Sequence, residues 1–323
     1  MIIEILGAKM LAPYVGTSHF VWTAQIAVTL VALATGYYAG GLVVDRSPRL
    51  SFLYGCILLA AIYLSLTTVV VEPVAYWCLN FKLAIGSLLA STFLFFVPLA
   101  LLAMVGPFVI RVLTSSVSNV GGNIGRLTAV STLGSFVGTM LIGYVLVPLL
   151  PNSKTMFLTA GLLMAIVAGY FLVWEMRAAS KVGPALGIFV GLLIGYGGAT
   201  KQPNYSFAEE LYWANSNFGL LQVMQNKGGS RRFYLNDYLT QNTYDPAEKK
   251  STALFTYMLH GLARAYTARI ENALCIGLGV GIVPNQLAHE GVKVDVVEIN
   301  PAVVEVASRH FDCDVQKLNV TIG

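Results

Sequence analysis

Apolar residues dominate the first two hundred positions in long unbroken runs, and polar ones regain an ordinary frequency only from Lys201 onward. Runs of this length fit a bilayer core, which about 20 apolar residues cross as a helix. Five spans are predicted, at about 19–44, 50–71, 81–112, 126–150 and 154–175, with a weaker sixth at 184–199. The segment from Met1 to about Pro13 is too short to cross, so it is expected to be re-entrant or to start partway through a helix. Pro98 and Pro107 should bend or split the third span, because proline removes an amide donor. Beyond residue 200 the periods shorten. Residues 214–245 read as short strands with turns at Gly228-Gly229 and Asn236-Asp237, and Leu254 to Tyr266 returns to helical spacing, ending near Arg269.

Composition sharpens this division. The chain has 56% hydrophobic and 11% charged residues, a mean hydropathy of +0.69 and a net charge of +4. Soluble domains carry about a quarter charged residues, so a polytopic α-helical membrane domain is expected over 1–200. No basic cluster suggests nucleic acid as a partner, which leaves membrane lipid. Cys56, Cys78, Cys275 and Cys313 lie far apart, match no metal spacing and make no disulfide framework. Small residues recur at four-residue spacing in Gly36 with Gly40 and Gly134 with Gly138, which favours close helix approach. Ser131, Thr132, Ser135 and Thr139 share a helix with the second pair, where an interface is the ordinary reading and a solute pathway the sharper one. Glu4, Lys9 and His19 are the ionisable groups in or beside the early spans, too few for a midplane transport site.

Helix counting puts Arg46, Arg49, Arg111, Arg126, Arg177 and Lys181 on one side, and Lys82, Lys154 and Lys201 on the other. The positive-inside rule places the first group in the cytoplasm. The chain then leaves on the outer side if 184–199 spans, and on the cytoplasmic side if that glycine-rich segment is re-entrant. The cytoplasmic side of the cell membrane is the preferred expectation. Trp22, Trp77 and Trp174 fall near span ends as interfacial anchors, and Asp45-Arg46 caps a turn at the membrane face.

The most informative stretch begins at Ala273-Leu274-Cys275-Ile276, an apolar strand running into Gly277-Leu278-Gly279-Val280-Gly281. A helix through Leu287-Ala288 follows, then a second strand, Val294-Asp295-Val296-Val297, ending in Glu298. Glycines let a backbone approach a phosphate or nucleoside, and an acid about 20 residues on accepts ribose hydroxyls. The plainer alternative is a vestigial unit whose glycines merely make a tight turn. Pro301 fits the first turn of another helix, to about His310, and Lys317 to Ile322 reads as a third strand. The expected organisation is therefore a membrane domain (1–200), a β-subdomain with a linking helix (201–270) and an incomplete Rossmann-like α/β domain (271–323). His260 and His310 read as packing or surface histidines.

These residues resemble the membrane-fused spermidine synthases, a family sometimes described as half-transporter fusions. The likeness runs through Val21-Trp22-Thr23, Gly36-Tyr37-Tyr38-Ala39-Gly40-Gly41 with Asp45-Arg46, Asn123 to Pro148, Asn217-Phe218-Gly219, Tyr234 to Gln241, and Gly277 to Ala302. The resemblance implies an α/β fold of the S-adenosylmethionine-dependent transferase type, with S-adenosylmethionine or its decarboxylated form as cofactor. It implies aminopropyl transfer to a polyamine, with Gln241, Gly277, Gly279, Gly281 and Glu298 lining the cofactor pocket and Asp237 structuring the turn beside it. Two departures bear on the acceptor. Val280 stands where soluble members carry the aspartate that holds the aminopropyl ammonium, and Leu254-Phe255 replace a Tyr-His pair, while His260 matches a later histidine. The family's catalytic aspartate follows a fourth strand, beyond the three predicted before Gly323, and Glu4 and Lys9 match the second half of its first helix. Both ends are therefore expected to be those of a fragment. A membrane-bound transferase is the leading reading. A non-catalytic accessory subunit with a vestigial transferase domain and a half-sized transporter are the alternatives. A half sheet leaves its first strand as an open edge, for which a partner subunit or a second copy is the expected cover.

Overall fold

The computed structural model describes residues 1–114, 120–174, 178–201 and 208–323. Arg177, counted among the basic residues above, lies outside them. The chain divides into two compact units, Met1–Gln202 and Pro203–Gly323.

The first unit is all helix. A short helix α1 (Ile2–Val15) precedes α2 (His19–Arg46), α3 (Leu50–Cys78), α4 (Leu83–Leu113), α5 (Val120–Leu149), α6 (Asn152–Val173) and α7 (Ala178–Thr200). Among the described residues six helices, α2 to α7, are long and apolar enough to cross a membrane. Leu30, Tyr38, Leu133, Phe136 and Leu172 stand exposed on their outer faces. Apolar surface this extensive is ordinary on helices that face lipid.

Burial is greatest where α1 enters the bundle: Leu6 and Leu11 are fully buried beside Leu64, Leu94 and Phe95. Pro98 leaves a π-helical turn over Thr92–Phe96 just ahead of it, since a missing amide shifts the ladder by one residue. The loosened carbonyls find donors on α3, where the Tyr63 hydroxyl donates to Phe93 O and Thr67 Oγ1 donates to Leu94 O at 3.3 Å. Backbone polarity inside the bundle is thereby met by a neighbouring helix, as an apolar surrounding requires. A second break, at Met104, precedes Pro107. The long third span is therefore bent at two points, each just N-terminal to a proline.

Small residues act as expected at one site and not at the other. A Cβ on Gly36 would overlap Ala100 O, and one on Gly40 would stand 2.9 Å from Met104 Cα, so α2 and α4 touch backbone to backbone. Gly134 meets nothing within 4 Å, and Gly138 meets only Ile2, at 3.5 Å. The close helix interface expected at Gly134 and Gly138 is thus not formed. Instead Ser131, Gly134, Ser135 and Gly138 line a cavity of about 290 Å³ with Met1–Ile3 and Thr159. Helix α7 covers the weaker sixth span expected at 184–199. It is one continuous helix rather than a re-entrant loop, because Gly187, Gly191, Gly195 and Gly198 let it lie directly on α3 and α6.

The second unit has two sheets. Strands β1 (Ala208–Ser216), β2 (Gly219–Asn226), β3 (Arg232–Asn236), β4 (Leu239–Asp245) and β5 (Lys250–Ser251) form an antiparallel sheet in chain order. After helix α8 (Leu254–Tyr266), a parallel sheet of β6 (Asn272–Ile276), β7 (Lys293–Glu298) and β8 (Asn319–Ile322) is built with crossover helices α9 (Ile282–His289) and α10 (Pro301–His310). One core joins the two sheets: Leu221, Val223, Tyr234 and Tyr244 pack with Val280, Val294, Val296, Val306 and Phe311. The other face of the parallel sheet is bare at β6, where Leu274 and Ile276 are 66% and 87% exposed. β6 is also one edge of this sheet, with β8 the other.

Candidate nucleoside-binding site

The turn after β6 is set by three glycines with positive φ: Gly277 at 88°, Gly279 at 55° and Gly281 at 75°. Only residues without a Cβ adopt such angles at little cost. Between them Leu278 and Val280 point into the core and are buried, so alternate residues anchor the loop while the glycines turn it. The Gly277 amide donates to Val297 O at 2.8 Å, and the Gly281 amide to Leu278 O at 3.0 Å.

Space divides the glycines into two kinds. A Cβ added at Gly277 or Gly279 would meet nothing within 4 Å, whereas one at Gly281 would overlap Cys313 Sγ. Gly281 is therefore a packing residue, and Gly277 and Gly279 are where another molecule can reach the backbone. Burial, aided by Asp314, pushes the Cys313 thiol up to about 11, so it fills space as a small neutral group.

Glu298, at the end of β7, is 6% exposed. Its Oε2 accepts the Leu278 amide at 2.8 Å, and its Oε1 accepts the Asn300 amide at 2.9 Å. The acid thus holds the glycine loop in shape. Each carboxylate oxygen has a second lone pair, which leaves capacity for a ligand hydroxyl. Tyr234 lies close enough to feel that charge: burial first, then the Glu298 carboxylate, pushes its hydroxyl up to about 12.

Sequence reasoning missed the polar relay leading away from Glu298. Asn300 Nδ2 donates to Ser216 Oγ at 3.2 Å, and the Asn300 side-chain oxygen caps α10 through the Ala302 amide at 3.1 Å. With Pro301 in its first turn, this is a well-specified helix start. Hydrogen bonds therefore run from the β1–β2 turn through Asn300 and Glu298 to Leu278. The Asn-Pro pair signalled the cap, but nothing in the sequence signalled Ser216.

The structure places Gln241 differently from the rest. Tyr234 pairs with Asn242 and Leu235 with Thr240, so Gln241 is the extra residue of a β-bulge, a device that re-aims a side chain. It is exposed, and Nε2 reaches only Leu239 O at 3.5 Å. Among the described residues no hydrogen bond joins Gln241 to the glycine loop. Asp237 and Tyr238, both with positive φ, make the two-residue β3–β4 turn, and Asp237 Oδ1 accepts the Leu220 amide at 3.1 Å. His260 Nε2 lies 2.8 Å from Glu290 Oε1, an oxygen pair that Arg264 also binds, so it tethers α8 to α9. Burial lowers His310, whose ring lies against Tyr212.

No protein-family profile matches the chain. It is 43% identical over 53 residues to the N-terminal histidine N-methyltransferase of Emericella nidulans, a match covering 16% of this chain and 9% of that protein. The chain thus spans about a tenth of the length of the curated relative it matches. A crystal structure of spermidine synthase in complex with the transition-state analogue AdoDATO superposes with a TM-score of 0.30 at 21% identity, over 35% of this chain and 39% of that one.

Proposed function

We propose that the chain is an integral membrane protein whose second unit binds a sulfonium nucleoside, S-adenosylmethionine or its decarboxylated form, as a transferase cofactor. One observation carries this reading: open space lies over Gly277 and Gly279 beside a buried carboxylate that already fixes the loop and keeps free lone pairs. The residues fit the nucleoside part of such a ligand, and the short methyltransferase likeness supports the same ligand class. When bound, a sulfonium makes its attached carbon open to nucleophilic attack. Gly277 and Gly279 admit the ligand and Glu298 accepts ribose hydroxyls, while Gln241 joins the pocket on the family resemblance alone. Aminopropyl transfer to a polyamine is the reaction the family resemblance suggests. The open edge of β6 takes a partner subunit or a second copy in this reading.

A specific observation favours a second reading, an accessory subunit that keeps the pocket without the chemistry. Val280, at the place of the expected ammonium-binding acid, is part of the core, and Leu254 and Phe255 are apolar and exposed. Neither position can pair with a cationic substrate.

Methylthioadenosine binding by the detergent-solubilised full chain tests the pocket. Wild type should bind saturably, and Gly279→Asn, a residue that tolerates a left-handed φ of 55°, should lose binding through the side chain it puts into the open space. Equal affinity in the two proteins would remove the glycine loop from the site. If wild type binds and the variant does not, but no aminopropyl product forms from the decarboxylated cofactor and putrescine, the accessory reading stands.

A further inference from the structure

The helices fix which ends of the first unit share a face. α7 runs parallel to α3 over its length: Gly187 lies against Leu58, Gly191 against Ile62, Gly195 against Ser65 and Gly198 against Thr68. Its last turn therefore ends beside the last turns of α3. The Lys201–Glu72 ion pair at 2.8 Å confirms the match, since Glu72 lies in the C-terminal part of α3. At the opposite face Arg111 Nε approaches Asp45 Oδ1 at 3.9 Å, which joins the end of α4 to the end of α2. Arg46 and Arg49 sit in the α2–α3 connection on that same face, and Lys181 near the start of α7. Arg126 lies in the second turn of α5, which starts beside the end of α4, where Asn123 Nδ2 donates to Leu113 O at 3.0 Å.

The two faces differ in basic charge. Arg46, Arg49, Arg111, Arg126 and Lys181 belong to one, and Lys82, Lys154, Lys201 and Lys9, whose carbonyl accepts Asn152 Nδ2 at 3.1 Å, to the other; Asp45 pairs with Arg111 on the first face as Glu72 does with Lys201 on the second. Every arginine among the described residues of this unit is on the first face. Lys and Arg in short connections set orientation, and they remain on the cytoplasmic side.

From these two facts we infer that the chain leaves the helical unit on the non-cytoplasmic side, so that residues 208–323 lie outside the cytoplasm. The inference rests on the proposed membrane insertion. It also bears on the ligand, because a nucleoside pocket on that side draws on nucleosides outside the cytosolic pool. The re-entrant segment that would have returned the chain is excluded by the unbroken contact of α7 with α3.

Single-cysteine accessibility in intact cells tests it on the full chain. Ser47→Cys reports the arginine-bearing face and Glu248→Cys, in an exposed turn, reports the second unit. With a membrane-impermeant maleimide, Glu248→Cys should label in intact cells, and Ser47→Cys only after permeabilisation. Each is placed in a chain whose Cys56, Cys78, Cys275 and Cys313 are replaced by Ala, and that cysteine-free chain sets the background. Labelling of Ser47→Cys alone overturns the orientation, and protection of both overturns the crossing by α7. Failure of membrane insertion is distinguished separately, because the chain would then be released by alkaline carbonate.

Discussion

Replacing Glu298 separates a residue that holds the loop from one that only meets a ligand. In the structure its two oxygens receive the buried amides of Leu278 and Asn300. Glu298→Gln keeps one acceptor and turns an NH2 group toward the other amide, leaving one buried donor unsatisfied. Hydrogen bonds to a charged group are worth about 1.5–3 kcal/mol, and an orphaned buried donor costs about 1–3 kcal/mol. A loss of about 2 kcal/mol is therefore expected, against a total stability of roughly 5–15 kcal/mol for a domain. Glu298→Ala orphans both donors and should lose about twice as much. Hydrogen exchange reads this directly, since the amides report local opening. At a factor of ten per 1.4 kcal/mol, Leu278 and Asn300 should exchange roughly 30-fold faster in ligand-free Glu298→Gln. Wild-type exchange rates at both amides in that variant would refute the loop-holding role and leave Glu298 to the ligand alone.

Other positions give independent checks. Gly281→Ala should destabilise the second unit by more than the roughly 1–2 kcal/mol of left-handed strain, because its methyl meets Cys313; Gly277→Ala should show the strain alone, compared by chemical denaturation. Gly198→Leu should disrupt the α3–α7 contact at Thr68 and lower the melting temperature in detergent, whereas Gly197→Leu, with nothing near its Cβ, should not. The Arg264 guanidinium, aided by His260, holds the Glu290 carboxyl below its usual 4.5. A depressed folded value gives stability that is complete above the unfolded value and lost as pH falls through the folded one. Exchange protection of α8 should therefore drop below about pH 4.5, and Glu290→Gln should flatten that dependence.

Much of the fold was legible because its signals are local. Span positions followed from apolar run length alone, although α3 continues to Cys78, past the point where Glu72 and Pro73 interrupt the run. Glu72, just past the predicted end at residue 71, stays helical and pairs with Lys201. The glycine loop and Glu298 were legible because turn, helix and acid fall within one crossover. β1 was mostly missed, since Ala208 to Ser216 has no clean alternation and owes its form to pairing with β2. Whether Gly134 and Gly138 face a helix or a cavity depends on how α5 leans, which no spacing encodes. The same limit hid Ser216, whose role arises only when β1 meets Asn300. Gly281 could not be told from Gly277 and Gly279 by pattern, because the difference is the position of Cys313.

The measurement closest to the central claim is hydrogen exchange of the wild-type chain with and without saturating S-adenosylmethionine. Ligand seated over the glycine loop should slow exchange at Leu278, Gly279 and Asn300 and leave the β5–α8 region unchanged. Unaltered exchange across residues 277–300 at saturating nucleoside would contradict the account.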